Sequence, residues 1–305
     1  MNSRRIGLAL LAAALLAAGC AKSGSATGSG TTGESATPGP VLAVKIDNVA
    51  AARPATGLGS ADVIYVEPVE GGLTRIIAVF SATVPTVAGP VRSARETDIG
   101  VLGQYGRPAF AYSGAAPEIL PRLHAASLVN AAQSDVARAY FRQPTHAAPH
   151  NLYVRPADLP TGSGPAPQAV LDFGDAPAGG TPGTDEKVKY AAASYEFRWS
   201  GGHWLIWMDG TPFSSREAGQ LGAATVIEQR VSVAYEPFPE DGTGAHAPIA
   251  QTVGGGPAVV LRDGQTYQAH WSRADRTAPT TFTTSSGQNL PLASGPTWIL
   301  LVPTS

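Results

Sequence analysis

The hydrophobic pattern of the chain changes character three times. It begins with an unbroken apolar run from Ile6 to Ala18, preceded by Arg4 and Arg5 and followed by Gly19-Cys20. A basic start, a short apolar stretch and small residues make up the layout of a secretory signal. The run is too short for a bilayer span, which needs roughly 20 residues. Ala17, Ala18 and Gly19 before Cys20 fit a lipobox, although Ala17 stands where Leu is usual and Leu16 lies one place further back. Residues 1–19 are therefore expected to be a cleaved signal peptide, and Cys20 to carry diacylglycerol and a fatty acyl group such as palmitate. Acylation of that kind holds a protein stably on a membrane, where a single chain is marginal.

Residues 20–40 lose all periodicity and consist almost entirely of Ser, Gly, Thr, Ala and Pro. Such a composition cannot offset its ordering entropy and reads as a tether. From Val41 strand-like runs begin: Val41–Ile46 closed by Asp47-Asn48, then Ala61–Val69 and Leu73–Phe80 joined at Gly71-Gly72, which predicts a hairpin. Ser93–Gln104 has helical spacing, with Ser93 expected as N-cap and Glu96 and Asp98 in the first turn. Ala109–Tyr112 reads as a strand, and Ala115–Arg142 as more helical with breaks at Pro117 and Pro121.

Pro, Gly, Thr and Ala return over 160–184, a linker or long excursion. Beyond it the runs are short and β-like: 195–199, 204–208, 223–235, 258–262, 267–271 and 298–302, with Asp209-Gly210 and Asp263-Gly264 as hairpin turns. The expected organisation is α+β: a mixed α/β N-terminal domain over 41–159, the linker, and a mostly antiparallel β domain over 185–305. Trp204 and Trp207 fall on opposite faces of one strand, and most of the five tryptophans are expected in the core.

Composition narrows the function classes. Cys20 is the single cysteine, so the mature body has neither an internal disulfide nor a cysteine metal site. The chain carries 21 basic and 23 acidic side chains, net −2, and removal of Arg4 and Arg5 with the leader takes this to −4. No basic stripe points to nucleic acid. There is no Gly-x-Ser-x-Gly elbow, His-Glu-x-x-His helix or phosphate loop in the sequence.

One set of motifs is distinctive. Asp47-Asn48, Arg53-Pro54, Gly57-Leu58, Ala61-Asp62, Val69-Glu70-Gly71-Gly72, Thr74-Arg75, the heptapeptide Gly89-Pro-Val-Arg-Ser-Ala-Arg95 and His150-Asn151-Leu152-Tyr153 occur in the order of the YerB-like bacterial lipoproteins. Gly254-Gly255-Gly256, Arg262-Asp263-Gly264, Trp271, Thr281-Phe282 and Gly295–Ile299 extend the resemblance to that family's C-terminal part. What the resemblance implies is a two-domain lipoprotein held on the outer face of the cytoplasmic membrane, with no biochemical role assigned to it.

The chemistry must then come from the polar residues. Arg75, Arg92 and Arg95 offer planar forks for a phosphate or carboxylate, and Ser93 would add helix N-terminal amides, forming a candidate anion site. Asp47, Asp62, Glu67, Glu70, Asp98, His146, His150 and Asn151 are candidate supporting, metal or base residues. The alternative use of these residues is a structural ion-pair network, with Glu67 or Glu70 meeting Arg75 across the hairpin. His146 and His150 are four apart, but Pro144 and Pro149 argue against a helix that would aim both at a metal. A local similarity to the LytR-CpsA-Psr phosphotransferases, in the order of Ala61–Ile64 and Arg92, implies a polyprenyl pyrophosphate and a metal ion.

Two functions follow. The favoured one is a cofactor-free binding or scaffolding lipoprotein that holds an envelope protein or an anionic wall polymer. The alternative is a Mg²⁺-dependent envelope enzyme acting on a phosphorylated glycopolymer or polyprenyl-phosphate-linked substrate, with Asp62 or Glu70 as metal ligand or base.

Overall fold

A computed structural model describes residues 40–239 and 244–304. Cys20, the expected leader and nearly all of the expected tether lie outside the described residues. The first strands are β1 (Leu42–Asp47), β2 (Val63–Pro68) and β3 (Thr74–Phe80). β2 and β3 form the expected hairpin, whose connection places Gly71 at φ 68° and Gly72 at φ 73°. Only glycine adopts that backbone without a Cβ penalty, which explains the pair at this position.

Helix α1 (Glu96–Leu102) starts two residues later than the Ser93 cap would require. Asp98 is the reason: its Oδ2 accepts the Arg95 amide at 2.6 Å, so the capping interaction is centred on Arg95. Strand β4 (Ala109–Tyr112) follows as expected. The segment 115–142 differs from the helical expectation. Its one α-helix is the short α2 (Leu120–Ala125), after which β5 (Val129–Ala132) runs parallel to β4 and a 3-10 turn at Ala137–Ala139 leads into a short strand at Tyr140–Arg142. The small, mostly apolar Val-Asn-Ala-Ala stretch suits a sheet neighbour; Pro121 sits in the first turn of α2, which stops the helix extending backward, and the helix ends at Ala126 in extended backbone.

In the second half, β6 (Asp185–Lys189), β7 (Ser194–Ser200) and β8 (His203–Met208) make an antiparallel sheet with two short additions. Then come β9 (Thr225–Val231), the ribbon of β10 (Val233–Pro239) and β11 (His246–Ala250), and β12 (Gly254–Arg262), β13 (Gln265–Arg273), β14 (Thr281–Thr284) and β15 (Thr297–Pro303). Asp209 and Asp263 take φ of 52° and 50°, each followed by a glycine of positive φ, the backbone of a type I′ hairpin turn.

One large mixed sheet runs through both halves in the order β14-β13-β12-β9-β15-β2-β3-β1-β4-β5, with Thr181–Pro182 pairing beside β13. β15 lies between β9 and β2, parallel to both. Residues 160–184 lie against the body: Ser163 bridges Arg107, and Thr181 and Pro182 pair with Thr266 and Gln265. The result is α+β, a mixed sheet with few helices in the N-terminal part and antiparallel sheets in the C-terminal region.

Period-two alternation divides the core into two layers. Val44, Ile46, Ile64, Val66, Ile76 and Trp298 pack with Phe197, Trp204 and Ile206 of the smaller sheet. Ala43, Val63, Ile77 and Ile299 face α1 and α2 through Ile99, Leu102 and Leu123. Each such fully buried side chain contributes about 1.5–3 kcal/mol relative to exposure. Trp204, Trp271 and Trp298 are core, while Trp207, on the other face from Trp204, lies under the Arg198 guanidinium at 4.3 Å.

Candidate functional site

On β1, the residues that alternate with Val44 and Ile46 are Lys45 and Asp47. Register places Asp47 opposite Arg75 and Arg75 opposite Glu67, so all three lie on the helix-side face at one end of the sheet. β1, β2, β4, β9 and β15 all end there, the edge at which open sheets with parallel strands commonly bind ligands. The Gly89–Arg95 segment crosses this edge, held by Asp47 N donating to Pro90 O at 2.8 Å and Arg92 N donating to Lys45 O at 3.0 Å.

An inner layer of charge is sealed from solvent. Lys45 Nζ donates to Glu67 Oε1 and, at 2.6 Å, to Asp98 Oδ1, and all three side chains are fully buried. Burial, and then the Asp98 charge, push the Glu67 carboxyl up to about 7, against the pull of Lys45. Arg95 Nε donates to Glu70 Oε1, and Arg75 Nη2 stands 3.8 Å from Glu70 Oε2. Burial alone would raise Glu70, but the Arg95 hydrogen bond and charge outweigh it and hold the carboxyl low. Burial and the neighbouring Arg95 push the Arg75 guanidinium down to about 10, which still leaves it cationic at neutral pH.

An outer pair hangs on Asp47, itself 2% exposed. Its Oδ2 accepts the His150 Nδ1–H at 2.7 Å and lies 3.2 Å from Arg92 Nε, an ionic contact without hydrogen-bond alignment. His150 and Arg92 are 22% and 24% exposed. With Nδ1–H given to the carboxylate, the neutral imidazole keeps its lone pair on Nε2. Among the described residues no hydrogen bond reaches His150 Nε2 or the Nη atoms of Arg92. Four cations, Lys45, Arg75, Arg92 and Arg95, thus meet four carboxylates, Asp47, Glu67, Glu70 and Asp98.

The remaining candidates separate from this cluster. Asp62 precedes β2 and so lies at the opposite end of the strand, roughly 17 Å along it by strand rise. There it accepts the Ser81 and Ala82 amides at 2.6 and 3.1 Å. The expected sharing of a phosphate and metal between Asp62 and the arginines is therefore not assembled. Ser93 is not the cap of α1, which begins at Glu96 with Arg95 as N-cap; its carbonyl faces Arg75 Nη1 at 3.5 Å and its hydroxyl faces Ser113 at 3.4 Å. His146 and His150 sit in an irregular loop, with no helix to align them. No group of three or more His, Cys, Asp or Glu side chains arranged to hold a metal occurs among the described residues. Asn151, next to His150 in the chain, accepts from Arg142 at 2.6 Å, across the pairing of Tyr140–Arg142 with Leu152–Val154.

Two contributors escape the sequence-based set. Lys45 was legible only as a charge in the middle of a buried run, in phase with Asp47. Asn48 donates to Thr74 Oγ1 at 2.9 Å and to Tyr195 OH at 2.7 Å, bracing the end of β1 against the smaller sheet. The Arg53-Pro54 motif has a similar part, since Arg53 donates to Met208 O at 2.9 Å and pairs with Asp209 at 3.0 Å.

Comparison with known proteins agrees with this architecture. Residues 26–165 match the N-terminal domain, and residues 186–299 the C-terminal domain, of a family described as protein of unknown function DUF3048. The protein named "Putative lipoprotein YerB" from Bacillus subtilis (strain 168) is 35% identical over 117 residues. That match covers 37% of this chain and 34% of the relative, so it spans about a third of the relative's length. A crystal structure of YerB protein from Bacillus subtilis superposes with a TM-score of 0.72 at 22% identity, over 88% of this chain and 92% of that one, which establishes a shared fold. With both domain models and the shared fold in register, the chain belongs to the DUF3048 family, to which it is joined by homology to YerB.

Proposed function

We propose that this chain is a lipid-anchored extracytoplasmic lipoprotein whose folded body is a non-catalytic binding module for an anionic envelope ligand. Cys20 supplies the anchor, residues 21–40 the tether, and Arg92, held beside His150 by Asp47, the anion contact. The observation that carries the reading is the double use of Asp47 Oδ2, which holds both Arg92 and His150 at the sheet edge with their outer nitrogens not hydrogen-bonded among the described residues. A held guanidinium with open Nη donors suits a phosphate or pyrophosphate, as on a wall glycopolymer or a polyprenyl-linked precursor, and the His150 Nε2 lone pair can accept from a hydroxyl of the same ligand. The inner charges are consumed by one another and serve to make that edge rigid.

Two measurements test the reading. For the anchor, membrane fractionation of the full chain against Cys20→Ser is expected to move the protein from the membrane to the soluble extracytoplasmic fraction. Equal partition would overturn it. For the anion contact, pyrophosphate is expected to raise the melting temperature of the full chain in detergent, because a ligand bound only by the folded state stabilises it by mass action. Arg92→Gln is expected to abolish that shift.

The enzymatic alternative, acting on a phosphorylated glycopolymer or a polyprenyl-phosphate-linked substrate, draws on one feature: a carboxylate-held histidine with a free Nε2 is the geometry of a general base. In that case turnover of a pyrophosphate ester would depend on His150, and Mg²⁺ would have to be carried by the substrate's own phosphates.

A further inference from the structure

About two strand spacings from Asp47, roughly 10 Å across the sheet, a cavity of about 350 Å³ opens where β2 and β15 end. Pro68 and Pro303 form its floor. Tyr190 closes one side from the β6–β7 turn, and Val233, Tyr235 and Pro248 of the β10–β11 ribbon close the other. Its size falls at the lower end of small-ligand sites, and walls of this kind, mostly apolar with few polar points, are typical of them. Tyr235 is 67% exposed, the most exposed large hydrophobic side chain among the described residues. An aromatic face left in solvent at the mouth of a cavity marks a contact surface.

The polar points define what enters. Lys189 lines the cavity and has no ion-pair partner among the described residues, whereas Lys45 and Lys187 are both paired. His246 Nδ1 donates to Glu236 O at 2.6 Å, which leaves Nε2 as its open nitrogen. Glu70, the one carboxylate in the wall, already faces Arg95 and Arg75. The unmatched charge of the cavity is therefore a single ammonium beside an imidazole, within apolar walls.

We infer that this cavity is a second binding site, distinct from the Arg92–His150 contact, and that it takes the free carboxyl end of a short apolar peptide. The carboxylate meets Lys189, the open Nε2 of His246 accepts the N–H of the last peptide bond, and the small apolar side chains lie against Tyr235 and the prolines. A phosphate dianion would leave a charge unmatched here, and an uncharged sugar would leave Lys189 unused.

The test is titration calorimetry of the full chain in detergent with N-acetyl-alanyl-alanine and with its C-terminal amide. The acid is expected to bind saturably and the amide about tenfold more weakly, the ratio for losing one charge-assisted hydrogen bond. Lys189→Met is expected to bring acid and amide to equal affinity, and Tyr235→Ala to weaken both. Both positions are exposed, so their melting temperatures should match wild type. Arg92→Gln should leave this binding untouched, which separates it from the anion contact. No saturable binding of the acid, equal binding of acid and amide by wild type, or displacement by inorganic phosphate at comparable concentration would each overturn the inference.

Discussion

The inner and outer charges at the sheet edge use the same chemistry to opposite ends. Lys45, Glu67 and Asp98 are fully buried, whereas Arg92 and His150 keep about a quarter of their surface in solvent around a buried Asp47. A buried charge is tolerated only when paired, and taking away one partner leaves the other stranded in a low dielectric. A partly exposed charge can turn to water or to a ligand. The difference teaches that ion pairing alone does not tell a support from a contact; the exposure of the outer nitrogens does.

The largest expected effect breaks the inner side of this comparison. Lys45→Met strands Glu67 and Asp98 together, and urea unfolding should show a loss of about 3–5 kcal/mol or no folded protein. Removing the stranded charges as well, with Lys45→Met, Glu67→Leu and Asp98→Asn together, should recover part of it, because apolar or neutral replacement of a whole buried ion cluster is often near neutral. If Lys45→Met alone melted as wild type, the inner layer would not be the support described.

Next in size is Arg95→Met, which takes the main partner from Glu70 while leaving the Arg95 amide to Asp98. A loss of about 1.5–3 kcal/mol is expected, the range for a hydrogen bond to a charged group. Chemical denaturation at neutral pH measures it, and a change under half a unit would remove Glu70 from the support.

The pH dependence follows from Glu67. Its folded pKa, about 7, lies above its unfolded value near 4.5, so the folded state holds the proton more tightly. The associated stability is fully present below about pH 4.5 and is lost as pH rises through 7. Unfolding free energies at pH 5 and pH 8 should therefore differ less in Glu67→Gln than in wild type. An equal or larger difference in the variant would mean that Glu67 is ionised throughout.

Much of this arrangement was legible in the sequence, for reasons that can be named. Alternation with Val44 and Ile46 puts Asp47 on the helix-side face, and Gly71-Gly72 closes a hairpin that must bring Glu67 opposite Arg75. The insertion of β15 beside β2 was not legible, because parallel pairing across more than 200 residues leaves no local pattern. Ser93 misled because serine is a strong N-cap, yet Asp98 reaches back to Arg95 and shifts the helix start. His150 was chosen with His146 for their spacing; only tertiary packing shows that its partner is Asp47, 103 residues earlier. Asp62 was grouped by chain order with residues that the strand carries to its other end.

The smallest expected effect on stability, and the most informative on function, is at Arg92. Melting curves of the full chain in detergent, recorded for wild type, Arg92→Gln and Lys45→Met with and without pyrophosphate, bear most directly on the division between support and contact. The account predicts that Arg92→Gln loses no more than about 1 kcal/mol, as for a part-exposed pair, and no longer responds to pyrophosphate, while wild type is stabilised by it. An Arg92→Gln protein destabilised as severely as Lys45→Met, together with a wild type indifferent to pyrophosphate, would contradict it and make the whole cluster structural.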